Sequence, residues 1–277
     1  MNKLKIISAF TIMTCALTFL LTISNSILAN ALSQAAPAVV VLCLLLFSKQ
    51  RTAEFKELGL FSLGKVQWYF LAISLPIAAI ITSYLVATLL GYFSLDLKLP
   101  AYTIIYRTFL FMFMWPLLWA MTEEIGWRGF LQPKLISLFG LRQGLFFTGI
   151  TWAVWHFIFI FSGTYYEEGN LFINTVLFTT TIVLMSFAIG WIRWKSQSLW
   201  PCVLFHSASN ATWQICSYQF NVKNPYYIYM AGEAGALNIV FWGVVLVVVW
   251  RVLMSEGSKN SDRKYYENLT MKVQSGQ

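Results

Sequence analysis

The sequence predicts an all-α protein, a polytopic transmembrane helical bundle with about eight spanning helices, on three observations. Eight stretches are apolar over roughly the 20 residues that a helix needs to cross a bilayer. Of the 277 residues, 58% are hydrophobic and only 11% are charged, a composition unlike that of a soluble globule. The basic residues fall mostly in short gaps between the apolar runs, where anchoring and topology signals lie.

The first run, 6–29, follows Lys3 and Lys5 and is expected to be a retained helix. A secretory signal peptide with Ala29-Asn30-Ala31 as its cleavage site is the alternative, but its apolar region spans roughly 7 to 15 residues and this run is longer. The second, 31–48, is the shortest and weakest at its start, and a polar loop at 49–66 with room for a short surface helix follows. Runs at 67–94 and 103–132 come next, and then a tight turn to residue 143 with Pro133 and Gly140. The remaining runs are 144–163, 171–192, 199–217 and 235–254, ahead of a polar tail at 255–277. The stretch Tyr165-Tyr166-Glu167-Glu168-Gly169 reads as a solvated turn. One integral domain is expected, divided into N-terminal helices and their loop (1–102), a core holding most of the embedded polar residues (103–217), an outer loop with the last helix (218–254) and the tail.

The charges give an orientation. Of the 19 Lys and Arg residues, three fall on the side away from the N-terminus (Lys98, Arg107 and Lys223), Arg128 is embedded, and the others share the N-terminal side. The positive-inside rule then puts both termini in the cytoplasm of an integral membrane protein, with a bacterial plasma membrane as the expected location. That placement also argues against nucleic acid as the partner of the net +8 charge. Cys15, Cys43, Cys202 and Cys216 lie in apolar runs without metal-ligand spacing and read as packing residues.

Six polar residues are embedded where polarity is expensive. A charged side chain at mid-bilayer costs roughly 2.5 to 3.5 kcal/mol on insertion scales, so such residues mark functional sites by default. Glu123 and Glu124 adjoin in the fourth run, and Arg128 follows Glu124 by four residues, the favourable order for an ion pair on one helix face. Glu123 is turned about 100° from Glu124 and needs another partner. For Arg128 alone, snorkelling to a nearby interface is an equal alternative. His156 sits among aromatics in the fifth run, and His206 and Asn210 share one face of the seventh. These are the only two histidines of the chain. Taken singly, each could be a helix-bridging polar group.

As a set they suit peptide hydrolysis, which needs a base for water, a group to orient it and donors for an oxyanion. Glu123 with His156 supplies the first two, and His206 with Asn210 the third. The same ligand types suit zinc, although no HExxH motif is present.

At these residues the sequence resembles the CPBP family of intramembrane proteases, also called the CAAX protease and bacteriocin-processing (Abi) family, which includes the type II CAAX prenyl endopeptidases. The paired-glutamate EExxxR pattern reads Glu123-Glu124-Ile125-Gly126-Trp127-Arg128. The FxxxH pattern reads Trp152-Ala153-Val154-Trp155-His156, with Trp152 in the phenylalanine position, and the HxxxN pattern reads His206-Ser207-Ala208-Ser209-Asn210. The resemblance covers about residues 103 to 215. It implies Glu123 as water-activating base, His156 as its partner, His206 and Asn210 as oxyanion donors, and Glu124 with Arg128 as a supporting pair. The family has been read both as a metalloprotease, with zinc, and as a glutamate-dependent enzyme that needs no metal. The metal-free reading fits these roles.

The resulting expectation is an intramembrane endopeptidase with a wet site opening towards the cytoplasmic half. It would act on membrane-associated proteins or peptides, of which CAAX-type prenylated proteins and bacteriocin precursors are the classes the resemblance implies. The alternatives are a non-catalytic immunity or regulatory partner using the same polar core, and a proton-coupled transporter. Visible repeats and broken half-helix pairs, which would favour the transporter, are not apparent in the sequence.

Overall fold

The computed structural model describes residues 3–24, 26–95, 102–103, 105–106, 115–166 and 168–257. Lys98, Arg107, Glu167, the start of the run at 103–132 and the tail beyond residue 257 lie outside the described residues.

The first apolar run forms helix α1 (Lys3–Thr22), which is shorter than expected. The chain then turns and enters α2 (Ile27–Ser33) and α3 (Ala36–Leu46). The span expected at 31–48 is therefore part of a bent pair, broken by 62°. Pro37, in the first turn of α3, suits a helix start, because the missing N–H would be unpaired there anyway. The polar loop contains α4 (Arg51–Glu57), and α5 (Val66–Leu89) leads to strand β1 (Phe93–Leu95). Helix α6 (Trp115–Glu124) continues through a π-helical turn (Ile125–Leu131) into α7 (Gln132–Phe139). Two long helices follow, α8 (Leu141–Phe161) and α9 (Leu171–Ser196). Then come α10 (Trp200–Gln219), strand β2 (Phe220–Val222), the short α11 (Tyr227–Met230) and α12 (Ala236–Gly257).

The chain is a helical bundle, and among the described residues five helices are long and apolar enough to cross a membrane, or six with the bent pair taken as one. Two of the eight expected spans are not among them. Helix α10 is diluted by His206, Ser207, Ser209 and Asn210, and only ten residues of α6 are described. Among the described residues the one departure from an all-helical architecture is an antiparallel ribbon pairing Phe93 with Val222 and Leu95 with Phe220.

Contacts define two ends. At the first, Lys3 Nζ donates to Ser137 Oγ at 3.1 Å, Arg193 Nη2 to the Glu57 carbonyl at 2.8 Å, and Trp200 Nε1 to the Leu60 carbonyl at 2.9 Å. The Arg142 guanidinium lies 5.3 Å from the Trp250 ring there. This basic end gathers the starts of α1, α8 and α10. The other end carries the ribbon and the loops before α9 and α12. Between the ends, α10 packs along α5, α9 along α8 and α12 along α9. The core is aromatic-rich at α1, α8 and the π-helical turn, where Phe10 meets Trp127 at 5.6 Å and Trp127 meets Trp155 at 5.5 Å.

Candidate active site

Glu123 and Glu124 end α6, and Arg128 lies in the π-helical turn, a local widening that recurs at functional sites. Arg128 Nη1 donates to Glu124 Oε1 at 2.9 Å, and neither side chain is exposed. Arg128 therefore does not snorkel. Its Nη2 reaches Ser186 Oγ on α9 at 3.4 Å, and its guanidinium stacks 4.0 Å from the Trp152 ring centre. Helix α3 crosses close by at Gly126, where an added Cβ would fall 2.4 Å from Pro37 Cβ. The glycine between the glutamates and the arginine is thus what lets α3 approach.

Glu123 points another way, as its offset on the helix requires. Its Oε2 accepts from Trp152 Nε1 at 2.9 Å and, at a longer 3.4 Å, from Trp127 Nε1. None of its hydrogen bonds goes to His156. On α8, His156 Nδ1 lies 2.9 Å from the Trp152 carbonyl. A carbonyl only accepts, so Nδ1 carries the proton, and neutral His156 keeps its Nε2 lone pair free. On α10, His206 Nδ1 meets Glu124 Oε1 at 3.0 Å. Glu124 thus joins Arg128 on its own chain segment to His206 on a distant one.

Trp152 is the hub of the arrangement. Its N–H holds Glu123, its face carries Arg128, its carbonyl fixes His156, and its ring lies 5.3 Å from that of His206. The aromatic position of the FxxxH pattern is expected to pack. Here it also donates a hydrogen bond, which phenylalanine cannot do.

Glu123, His156, His206 and Asn210 all line one cavity of about 510 Å³. Glu124 and Arg128 stand behind this wall and are not part of it. The structure therefore gathers four of the six residues at one surface and places the other two as their buttress. Glu123 and His156, expected as partners, both line the cavity and are each hydrogen-bonded to Trp152.

The sequence reading passes over several wall residues. Tyr165 donates to Glu233 Oε2 at 2.5 Å, and both line the cavity. The expected solvated turn holds only in part: Tyr165 packs 5.9 Å from the His156 ring, whereas Glu168 is exposed, its carbonyl accepting from Asn174 and its Oε2 from Tyr227. Glu233 had one visible signal, being the only charged residue between Lys223 and Arg251. The side of the cavity differs as well. Its walls include Thr164, Tyr165 and Glu233, from loops at the end opposite the basic one. If the basic end is cytoplasmic, the walls reach the other side of the membrane, contrary to an opening towards the cytoplasmic half.

The donor set does not fit zinc. A structural or catalytic zinc needs at least three clustered protein ligands, and among the described residues no group of three or more His, Cys, Asp or Glu side chains is so arranged. Glu124 Oε1 is also engaged by Arg128, a fixed cation that disfavours a second one.

Residues 105–212 match the family model described as type II CAAX prenyl endopeptidase Rce1-like. A curated relative, CAAX prenyl protease 2 of Methanococcus maripaludis, is 31% identical over 134 residues, which is 47% of each chain. The chain thus matches about half the length of that relative. Residues 105–212 contain Glu123, Glu124, Arg128, His156, His206 and Asn210, and over that stretch the chain is similar to the Rce1-like type II CAAX prenyl endopeptidase family.

Proposed function

We propose that the chain is an intramembrane endopeptidase that hydrolyses a peptide bond in a membrane-associated protein or peptide, with Glu123 activating water and no metal required. The observation that carries this reading is the convergence of Glu123, His156, His206 and Asn210, from three separate helices, on one cavity.

The hydrogen bonds support each role. Both indoles hold Glu123 Oε2, which leaves Oε1 to take a proton from water as general base. The free Nε2 of His156 accepts from the same water and orients it as it attacks the scissile carbonyl. The carbonyl oxygen then becomes an oxyanion, for which Asn210 Nδ2 and His206 are the donors. Because His206 already gives its Nδ1 proton to Glu124, it donates from Nε2 only as an imidazolium, the form its carboxylate partner stabilises. Arg128 holds Glu124 in place for this. Glu123 returns its proton to the leaving amine, and the peptide bond is cut with one water consumed.

The similarity over residues 105–212 supports the same chemistry, and the name of the Methanococcus relative makes prenylated CAAX-type proteins one substrate class to test. Comparative proteomics of membranes with wild-type protein or Glu123→Ala tests the function without a known substrate. Peptides that stay uncut only in the variant support it, and identical proteomes from equally expressed proteins contradict it.

A further inference from the structure

Three features of the cavity wall point to the same ligand chemistry. The first is charge. Among the described wall residues are two carboxylates, Glu123 from α6 and Glu233 from the loop before α12, against one basic side chain, His206, and no Lys or Arg. The Arg128 guanidinium is fully buried behind the wall on Glu124. Burial pushes the Glu233 carboxyl above its ordinary range; the Tyr165 hydrogen bond works against that push, and the Glu123 charge adds to it.

The second feature is an unused acceptor. Asn238 lines the cavity with 1% of its surface exposed. Its Nδ2 donates to the carbonyls of Gly232 and Glu233. Carbonyls only accept, so these bonds fix which way the amide points. Its Oδ1 is buried and has no hydrogen-bond partner among the described residues. An orphaned buried acceptor costs free energy until a donor arrives. Asn30 Oδ1, also on the wall, is in the same condition.

The third is aromatic. Trp115, Trp119, Trp213 and Trp242 contribute indoles to the wall, with the first two in edge contact at 5.3 Å. Indole faces attract cations, more strongly as water is excluded. Carboxylates, orphaned acceptors and indoles share one complement, a positively charged N–H donor.

Building on the proteolytic reading above, we propose that this cavity selects its peptide substrate by a cationic group, an ammonium or guanidinium, anchored on Glu233 with Asn238 Oδ1 and the surrounding indoles. Such a group satisfies the orphaned acceptor and offsets the carboxylate excess in one step. It comes either from a lysine or arginine side chain near the scissile bond or from the peptide's terminal ammonium. Tyr165 acts as a positioning residue, holding Glu233 Oε2 so that the other carboxylate oxygen is left for the cation.

Binding can be tested without turnover. Purified protein in an uncharged maltoside detergent is titrated with three probes: N-decanoyl-lysine amide, N-decanoyl-norleucine amide, and norleucine decylamide, which carries a terminal ammonium. Tryptophan fluorescence reads the binding. The lysine or the terminal-ammonium probe is expected to bind at least about tenfold tighter than neutral N-decanoyl-norleucine amide, and the tighter of the two identifies the source of the charge. Glu233→Gln, shown by gel filtration to be monodisperse, is expected to abolish the preference, and Glu233→Asp to retain part of it. Equal binding of all three probes by wild type overturns the proposal even if no variant folds, as does an undiminished preference in Glu233→Gln. A protein that discriminates but cleaves nothing contradicts the proposed function alone, whereas one that cleaves without discriminating contradicts this inference alone.

Discussion

Trp152 Nε1 donates to Glu123 Oε2 at 2.9 Å, so the candidate base is held by the residue that also stacks on Arg128 and fixes the His156 tautomer. One side chain from α8 thereby sets the geometry of groups from α6 and the π-helical turn. Losing it should be felt at the chemistry more than in binding.

Trp152→Phe keeps an aromatic ring but removes that donor, leaving Glu123 with the 3.4 Å bond from Trp127. Hydrogen bonds to charged groups are worth roughly 1.5 to 3 kcal/mol, and each 1.4 kcal/mol is about tenfold in rate. We expect kcat to fall roughly ten- to a hundredfold with KM little changed. Steady-state kinetics on a cleaved peptide checks this, and unchanged kcat would show that the indole N–H is only structural.

Arg128→Met leaves Glu124 buried with His206 as its sole partner among the described residues. Breaking a buried pair on one side typically costs about 3 to 5 kcal/mol, whereas replacing both partners with apolar groups is far milder. Thermal unfolding in detergent should therefore show a large fall in midpoint for Arg128→Met and a partial recovery in Arg128→Met with Glu124→Leu. A double variant less stable than the single one would refute the pairing argument. The double variant should be inactive, since His206 has lost its carboxylate.

How much of this was legible beforehand depends on distance along the chain. The Glu124 and Arg128 pair was readable because four residues is one helical turn, and His206 with Asn210 for the same reason. Long apolar runs located most of the helices. The break between α2 and α3 was not legible because Ser33, Gln34 and Pro37 also read as the weak polar start of a single span. The donor role of Trp152 was hidden because tryptophan among aromatics reads as packing. Tyr165 and Glu233 are 68 residues apart, and only the tertiary fold brings them together.

The basic end and the cavity walls make a claim about orientation. If the positive-inside rule holds, Lys223 is external and Lys56 cytoplasmic; both are exposed. With Cys15, Cys43, Cys202 and Cys216 replaced, a membrane-impermeant maleimide added to intact cells should label Lys223→Cys and spare Lys56→Cys. The reverse pattern would put the Tyr165 and Glu233 loops in the cytoplasm.

Activity is expected to survive 1,10-phenanthroline and extensive dialysis, because no three-donor set surrounds Glu123 among the described residues. Loss of cleavage with the chelator, restored by added zinc, would overturn the metal-free mechanism.

The central claim is tested most directly by Glu123→Gln, which keeps the side-chain shape and an oxygen for the Trp152 and Trp127 indoles while removing the base. In a purified, folded protein the rate of cleavage should drop by about a hundredfold or more, the range general-base removal commands, with substrate binding retained. Wild-type rates from Glu123→Gln would contradict the account.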